Sequence, residues 1–226
     1  MRIQFCLLVF ALAANADAQP YLWSAPVVEV FVPPVLRPET DMAFGRARRV
    51  ATEIYAAIGV RVVWRSGGRP PMGCAKHPMR GTIVVRFDTS DAPFASDQAL
   101  AWSNPYSTIG PCVTVLMHRV EAAVRTNPLS TPSVLGHVLA HEMGHVLQGV
   151  ARHSNSGLMR GQWPLEEVRE IMKGHSLEFA PYDSELIRAN LGTAPLPGGR
   201  KFIGPASVAA DSGYAKAESA FAASIR

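Results

Sequence analysis

The chain has 226 residues, 48% of them hydrophobic, and its formal net charge at neutral pH is +4. This balance predicts a globular domain with a full core and excludes an intrinsically disordered chain. Because the Lys and Arg residues are scattered rather than clustered, the charge indicates no nucleic-acid-binding surface.

The first predicted element is an export signal. Arg2 precedes an almost wholly apolar run from Ile3 to Ala14, and the small residues Ala16 and Ala18 offer a cleavage site. A membrane anchor is the alternative, but a run of about a dozen residues is shorter than the roughly 18 that span a bilayer. We therefore expect residues 1–18 to be a signal peptide, no membrane span after its removal, and a secreted or periplasmic protein.

Two cysteines, Cys74 and Cys112, remain after the signal is removed. An even pair in an oxidising compartment favours one disulfide. Two free thiols, or a thiol that binds a metal, remain alternatives, because the sequence does not show whether the two Cα atoms lie close enough to bridge.

The first half of the mature chain alternates strand and helix patterns. Apolar residues at helical spacing, followed by Gly59, predict a long helix from Asp41 to about Ile58. Runs rich in β-branched residues, bounded by turn residues, predict strands. These strands are at 27–32, 60–64, 82–87, 98–103 (a short edge strand) and 112–117.

The second half is expected to be mainly helical. Segment 118–130 is expected to be partly helical, and a further helix begins near Thr131, with Pro132 at a favoured first position. Two shorter helices are predicted at 164–173 and 182–191, and a mobile tail at 192–226. This order indicates an α/β (α+β) fold with a twisted mixed sheet and a small, mostly helical C-terminal subdomain.

Residues 141–145, which read His-Glu-Met-Gly-His, carry the clearest chemistry in the chain. On a helix His141 and His145 are one turn apart on one face, so their imidazoles can hold one zinc ion. Glu142 lies beside them and can act on a water molecule at the metal. His137 shares this face one turn earlier, and we expect it to be a supporting or exposed residue.

A third histidine, His153, lies eight residues beyond His145. In a continuous helix the two would be about 12 Å apart along the axis, too far to share a metal ion. Gly149 can adopt the left-handed conformation that ends a helix and reverses the chain. We therefore expect the helix to break at Gly149 and His153 to return to the metal, leaving a fourth position open for water.

This pattern resembles the metzincin clan of zinc endopeptidases, and most closely its matrixin-like secreted members. The clan pattern is His-Glu-x-x-His-x-x-Gly-x-x-His followed by a tight turn that contains Met; here one residue is added on each side of Gly149. The resemblance implies a zincin-like catalytic domain at 19–191 with His141, His145 and His153 as Zn²⁺ ligands. It also implies that Glu142 is the general base and Met159 the Met-turn residue.

The resemblance further implies a peptide or protein substrate, paired as an added strand with the predicted edge strand at Leu100, Ala101 and Trp102. Trp102 is otherwise a core aromatic residue, and the sequence does not choose between the two. We expect a monomer.

Two other functions remain open. The altered spacing allows a zinc-binding protein of this fold that does not cleave peptides. Glu166 and Glu167, on the predicted helix after the motif, could instead supply the third ligand of a thermolysin-like zinc hydrolase.

Overall fold

The structure is a computed structural model that describes residues 25–32, 38–67, 81–88, 98–105, 112–192 and 224–225. The predicted export signal and Cys74 lie outside the described residues, so the signal and the Cys74–Cys112 disulfide stay predictions.

A five-stranded sheet forms one layer of the molecule, with the strand order β2-β1-β3-β5-β4. Four neighbouring strands run parallel, and only β4, at the edge beside β5, is antiparallel. The strands are β1 (Val27–Val32), β2 (Arg61–Ser66), β3 (Thr82–Asp88), β4 (Ala101–Ser103) and β5 (Cys112–Leu116). The predicted α/β fold with a mixed sheet is confirmed.

In the described residues five α-helices accompany the sheet, each within a few residues of its predicted position. They are α1 (Pro38–Ala57), α2 (Met117–Ala123), α3 (Thr131–Gln148), α4 (Leu165–Met172) and α5 (Pro181–Asn190). α1 begins at Pro38, ahead of the expected Asp41, which is consistent with the preference of proline for the first turn of a helix. The segment expected to be partly helical holds α2 and a 3₁₀ turn at Pro128–Ser130.

The predicted edge strand 98–103 is wrong in length, because only Ala101–Ser103 form β4. The Leu116 amide donates to the Leu100 carbonyl over 2.9 Å, and α2 starts directly after Leu116. The residues before Leu100 therefore have no further strand residues of β5 to pair with.

α3 is the central helix of the molecule and is buried almost all round. It packs against α1 and contacts β4, β5, α4 and α5. The buried Tyr55 hydroxyl on α1 donates to the Ala140 carbonyl of α3 over 3.0 Å. Such a helix is stable only inside a protein, so the His-Glu-x-x-His residues that α3 carries are held in the core.

The chain after α3 forms a small, mostly helical layer. Between α3 and α4 lies the two-residue strand β6 (Gln162–Trp163), which pairs in parallel with β7 (Ser224–Ile225). Only these two residues of the segment beyond 192 are described, and the mobility of the remainder stays a prediction. None of the described helices is long and apolar enough to cross a membrane.

Candidate metal centre

Two of the three predicted ligands face each other on α3. His141 and His145 are one helical turn apart and fully buried. Their Nε2 atoms lie 3.1 Å apart, and their ring centroids are 4.8 Å apart. The helix alone produces this pairing, since residues four apart lie above one another on the same face.

Gly149 ends α3 and turns the chain back, as its position in the sequence predicts. It adopts the left-handed conformation with φ 64° and ψ 21°, and its amide donates to the carbonyls of His145 and Val146 over 3.1 and 3.2 Å. A residue with a Cβ resists this conformation, whereas glycine adopts it at little cost.

The reversed chain brings His153 back to the two helical histidines. Its ring centroid lies 5.4 Å from that of His141 and 4.9 Å from that of His145. One nitrogen from each of the three rings lies within 4.8 Å of the others. The two added residues around Gly149 therefore do not prevent the three imidazoles from converging.

The spacing of these nitrogens fits a zinc ion. Two imidazoles on one tetrahedral zinc, with bonds of about 2.0–2.1 Å, have nitrogens about 3.3 Å apart, close to the 3.1 Å between His141 and His145. The ligand atoms of the three rings lie within 4.8 Å of one another, so tetrahedral coordination requires the longest spacing to shorten by at most about 1.5 Å. His153 is the exposed member of the group, whereas His141 and His145 are buried.

The protonation of the rings also suits a metal. His141 Nδ1 lies 2.7 Å from the Leu158 carbonyl oxygen, so Nδ1–H donates and Nε2 presents its lone pair toward His145. Such a bond to the second nitrogen typically orients a ligand histidine. Burial lowers the pKa of His141 to about 3 and that of His145 well below its usual value, and it also lowers the pKa of His153. All three rings are therefore neutral, which is the form that binds metal.

A tight turn lies beneath the histidines. The Arg160 amide donates to the Gly157 carbonyl over 3.1 Å, and Met159, within this turn, is fully buried. A Cβ at Gly144, inside the His-Glu-x-x-His motif, would lie 2.5 Å from the Met159 sulfur. The motif glycine thus lets the turn that holds Met159 pack directly against α3.

Glu142 is fully buried beside the histidines. Its Oε2 accepts a hydrogen bond of 2.6 Å from the hydroxyl of Ser103, which is also fully buried and lies on β4. No motif in the sequence includes Ser103. Its position at the end of a predicted edge strand was the available signal, but the sequence does not show that this strand lies beside the motif helix.

The residues expected to pair with a substrate lie on or next to β4. Leu100 and Ala101 are buried and Trp102 is half-buried. The Leu100 carbonyl and the Asn104 amide bond to β5. Because alternate residues of a strand direct their backbone groups to opposite sides, those of Ala101 and Ser103 point away from β5.

The remaining candidate ligands lie elsewhere. Glu167 forms an ion pair of 2.9 Å with Arg160, Glu166 is exposed, and neither belongs to the histidine group found among the described residues. His137 is buried rather than exposed, and its two ring nitrogens lie 2.7 Å from the Ser133 carbonyl oxygen and 3.0 Å from the Leu177 amide nitrogen. Protein groups therefore occupy both of its nitrogens.

No family model matches the chain, and no curated protein matches it. Among solved structures it is similar to archaemetzincin from Methanopyrus kandleri, with 15% sequence identity and a TM-score of 0.46. The match covers 75% of this chain and 98% of that chain. The candidate metal centre is supported by the distances between the three histidines and by their burial, not by this similarity.

Proposed function

We propose that this chain is an exported, zinc-dependent endopeptidase of the metzincin type, with the matrixin-like members as its nearest counterparts. The observation that carries the proposal is a buried carboxylate, Glu142, on the same helix as two of three converging histidines. Zinc, three imidazoles and an adjacent carboxylate are the parts that a water-activating hydrolase needs.

The number of ligands favours a catalytic over a structural zinc site. Structural sites close the metal with four protein ligands, whereas catalytic sites use three and leave one position open. In the described part of the chain the group that could hold a metal has three members, His141, His145 and His153. His153 lies on the exposed side, so a substrate can approach the metal from there.

A zinc ion held by these imidazoles would acidify water and polarise a substrate carbonyl. Glu142 takes the proton of the attacking water and later delivers it to the leaving amine. The Ser103 hydroxyl, 2.6 Å from Oε2, holds one oxygen of Glu142 and so fixes the direction in which the carboxylate faces. Burial of both residues keeps bulk water away from this proton transfer.

The outer edge of β4 supports a peptide substrate in extended conformation. The backbone groups of Ala101 and Ser103 point away from β5 and can pair with an added strand. Since the Ser103 hydroxyl also contacts Glu142, a peptide on this edge would run beside the general base. An extended stretch of polypeptide is therefore the proposed substrate class.

The proposed location is outside the cytoplasm, either secreted or periplasmic, and the protein is proposed to act as a monomer. The apolar run from Ile3 to Ala14 behind Arg2 supports export.

A zinc-binding protein without peptidase activity is the second candidate. The lengthened spacing between His145 and His153 favours it, because catalysis tolerates much less displacement of the metal and its base than binding does.

Zinc content and peptide cleavage, measured together on the full chain and on Glu142→Gln, test the proposal. We expect about one zinc per chain in both proteins, and cleavage of casein or a peptide library that falls roughly 10²–10⁴-fold in the variant. Glu166→Gln, a matched change at an exposed glutamate outside the histidine group, serves as the control and should leave cleavage unchanged.

Two results would contradict the proposal. If the wild-type chain binds zinc but shows no cleavage activity that is lost in Glu142→Gln, the non-peptidase candidate is favoured. A wild-type chain that binds no zinc would exclude the metal centre altogether.

A further inference from the structure

The loop that carries His153 is fastened on both sides to one buried carboxylate. Asp183, on α5, is fully buried. The Ser154 hydroxyl lies 2.8 Å from each of its two oxygens, and Arg152 Nη2 lies 2.5 Å from its Oδ1. Arg152 and Ser154 are the two residues that flank His153, so Asp183 grips the chain immediately before and after the third histidine.

Because Asp183 is buried, its carboxylate needs hydrogen-bonding or charged partners. An ionised carboxylate out of water is strongly unfavourable unless charged or polar partners surround it. Here the partners are the Arg152 guanidinium, the Ser154 hydroxyl and, more distantly at 3.4 Å, the Gln148 side-chain amide. If the loop moved away from α5, the Asp183 carboxylate would lose its partners or become exposed. The contact between the loop and α5 is therefore costly to break.

Additional contacts keep α5 in place relative to the metal centre. The Arg152 guanidinium lies over the ring of Tyr182, the neighbour of Asp183, with 4.8 Å from Cζ to the ring centroid. Asn190, at the end of α5, donates to the Leu147 carbonyl in the last turn of α3 over 2.8 Å. α5 is thus fixed to the helix that carries His141 and His145. Because the loop is bonded to α5 through Asp183, the loop is also held in place relative to these two histidines.

The length of the loop explains why its attachment to Asp183 matters for His153. A longer connection between two ligands has more conformations to lose when the second ligand is placed. His153 is exposed and lies in this lengthened segment, whereas its helical partners are positioned by backbone hydrogen bonds. Fixing both neighbours of His153 confines its backbone and limits where its ring can lie.

We propose that Asp183 is a positioning residue for the third metal ligand, and that Arg152, Ser154 and Asp183 form a latch that holds His153 at the metal. Without this latch His153 is no longer held at the metal, and only the two helical histidines remain as ligands in fixed positions. The inference rests on the proposed metal site but is independent of peptidase activity.

Zinc affinity, measured by chelator competition on the full chain, tests the latch. We expect Asp183→Asn to weaken zinc binding roughly 10–100-fold, the usual effect of removing a group that orients a ligand. Glu185→Gln makes the same change of charge at an exposed position of the same helix and should leave the affinity unchanged.

A double-mutant comparison separates positioning from general support of the fold. If Asp183 acts through His153, Asp183→Asn should cause no further loss of zinc affinity in a His153→Ala background. An equal additional loss in that background, or lowered thermal stability with unchanged affinity, would overturn the proposal. If Asp183→Asn does not fold, Ser154→Ala decides: it should weaken zinc binding by a smaller factor, Ser154→Thr should restore it, and unchanged affinity in Ser154→Ala would refute the latch.

Failure of the latch and failure of the metal site give different results. If the wild-type chain binds zinc, and His153→Ala weakens this binding but Asp183→Asn and Ser154→Ala do not, the metal site is supported and the latch is refuted. A wild-type chain that binds no zinc overturns both.

Discussion

The two halves of the proposed metal centre are built in different ways. The helical half, with His141, Glu142 and His145, is fully buried, and its geometry follows from helical periodicity. The loop half, from Gly149 to Ser154, is partly exposed and depends on Asp183, which is 31 residues from Arg152 and 29 from Ser154 in the sequence. A ligand pair can thus be encoded in five consecutive residues, whereas the third ligand depends on tertiary contacts.

Loss of a helical ligand is the largest expected effect. A zinc site worth about 10–16 kcal/mol over four positions assigns roughly 2.5–4 kcal/mol, or about 10²–10³-fold in affinity, to each ligand. We expect His141→Ala to reach the upper end of this range or exceed it, because it also removes the bond to the Leu158 carbonyl. His153→Ala should lie near the lower end, because water can replace an exposed ring. Chelator-competition titrations measure both affinities. An equal loss of zinc affinity in His141→Ala and His153→Ala would contradict the distinction between the two halves.

The junction between the halves should be sensitive to a single methyl group. Gly149 and Gly59 both have positive φ, 64° and 75°, so alanine at either position costs about 1 kcal/mol in backbone strain. At Gly149 the new Cβ would also lie 2.8 Å from Asn190 Nδ2, whereas at Gly59 nothing lies within 4 Å.

We therefore expect Gly149→Ala to lower the free energy of unfolding by about 1–3 kcal/mol, more than Gly59→Ala does, and to weaken zinc binding as well. Denaturant unfolding and zinc titration of both variants measure this difference. Equal destabilisation by the two substitutions would mean that Asn190 adjusts without cost.

Within the helical half, the Ser103 hydroxyl is expected to tune catalysis without affecting metal binding. A hydrogen bond to a charged group contributes about 1.5–3 kcal/mol, so Ser103→Ala should lower kcat about tenfold or more while KM and zinc content stay unchanged. Ser103→Thr retains the hydroxyl and should recover most of the rate. A change in KM alone, or lost zinc, would assign Ser103 to the substrate edge or to the fold instead.

The smallest expected effect concerns His137, which shares the burial of the helical half but has protein groups at both ring nitrogens. Nε2 accepts from the Leu177 amide, so Nδ1–H donates to the Ser133 carbonyl. Burial lowers the pKa of His137 and outweighs the backbone bond to Ser133, which acts in the opposite direction. The unfolded chain therefore binds this proton more readily, and the stability contribution is complete above about pH 6.5.

That contribution should be lost as the pH falls below 6.5 toward the lowered pKa of the folded state. We expect the zinc-free His137→Gln variant, which cannot titrate at this position, to lose less stability than wild type between pH 7 and pH 5. Denaturant unfolding at both pH values provides the comparison, and identical pH slopes would contradict the assigned role of His137.

The sequence predicts those features of the molecule that depend on neighbouring residues. Helical spacing identifies α3 and the pairing of His141 with His145, and the absence of a side chain at Gly149 indicates where the helix ends. The length of β4 could not be predicted, because it depends on where its partner β5 stops at Leu116. Ser103, which bonds to Glu142, and Asp183, which holds the two neighbours of His153, cannot be predicted either, because only folding brings these residues to the site.

X-ray absorption at the zinc edge of the purified, zinc-loaded protein tests the central claim most directly. We expect three imidazole ligands and one oxygen at about 2.0–2.1 Å, and one imidazole fewer in His153→Ala. A sulfur ligand at about 2.3 Å, or a wild-type spectrum with two imidazoles that is unchanged in His153→Ala, would contradict it.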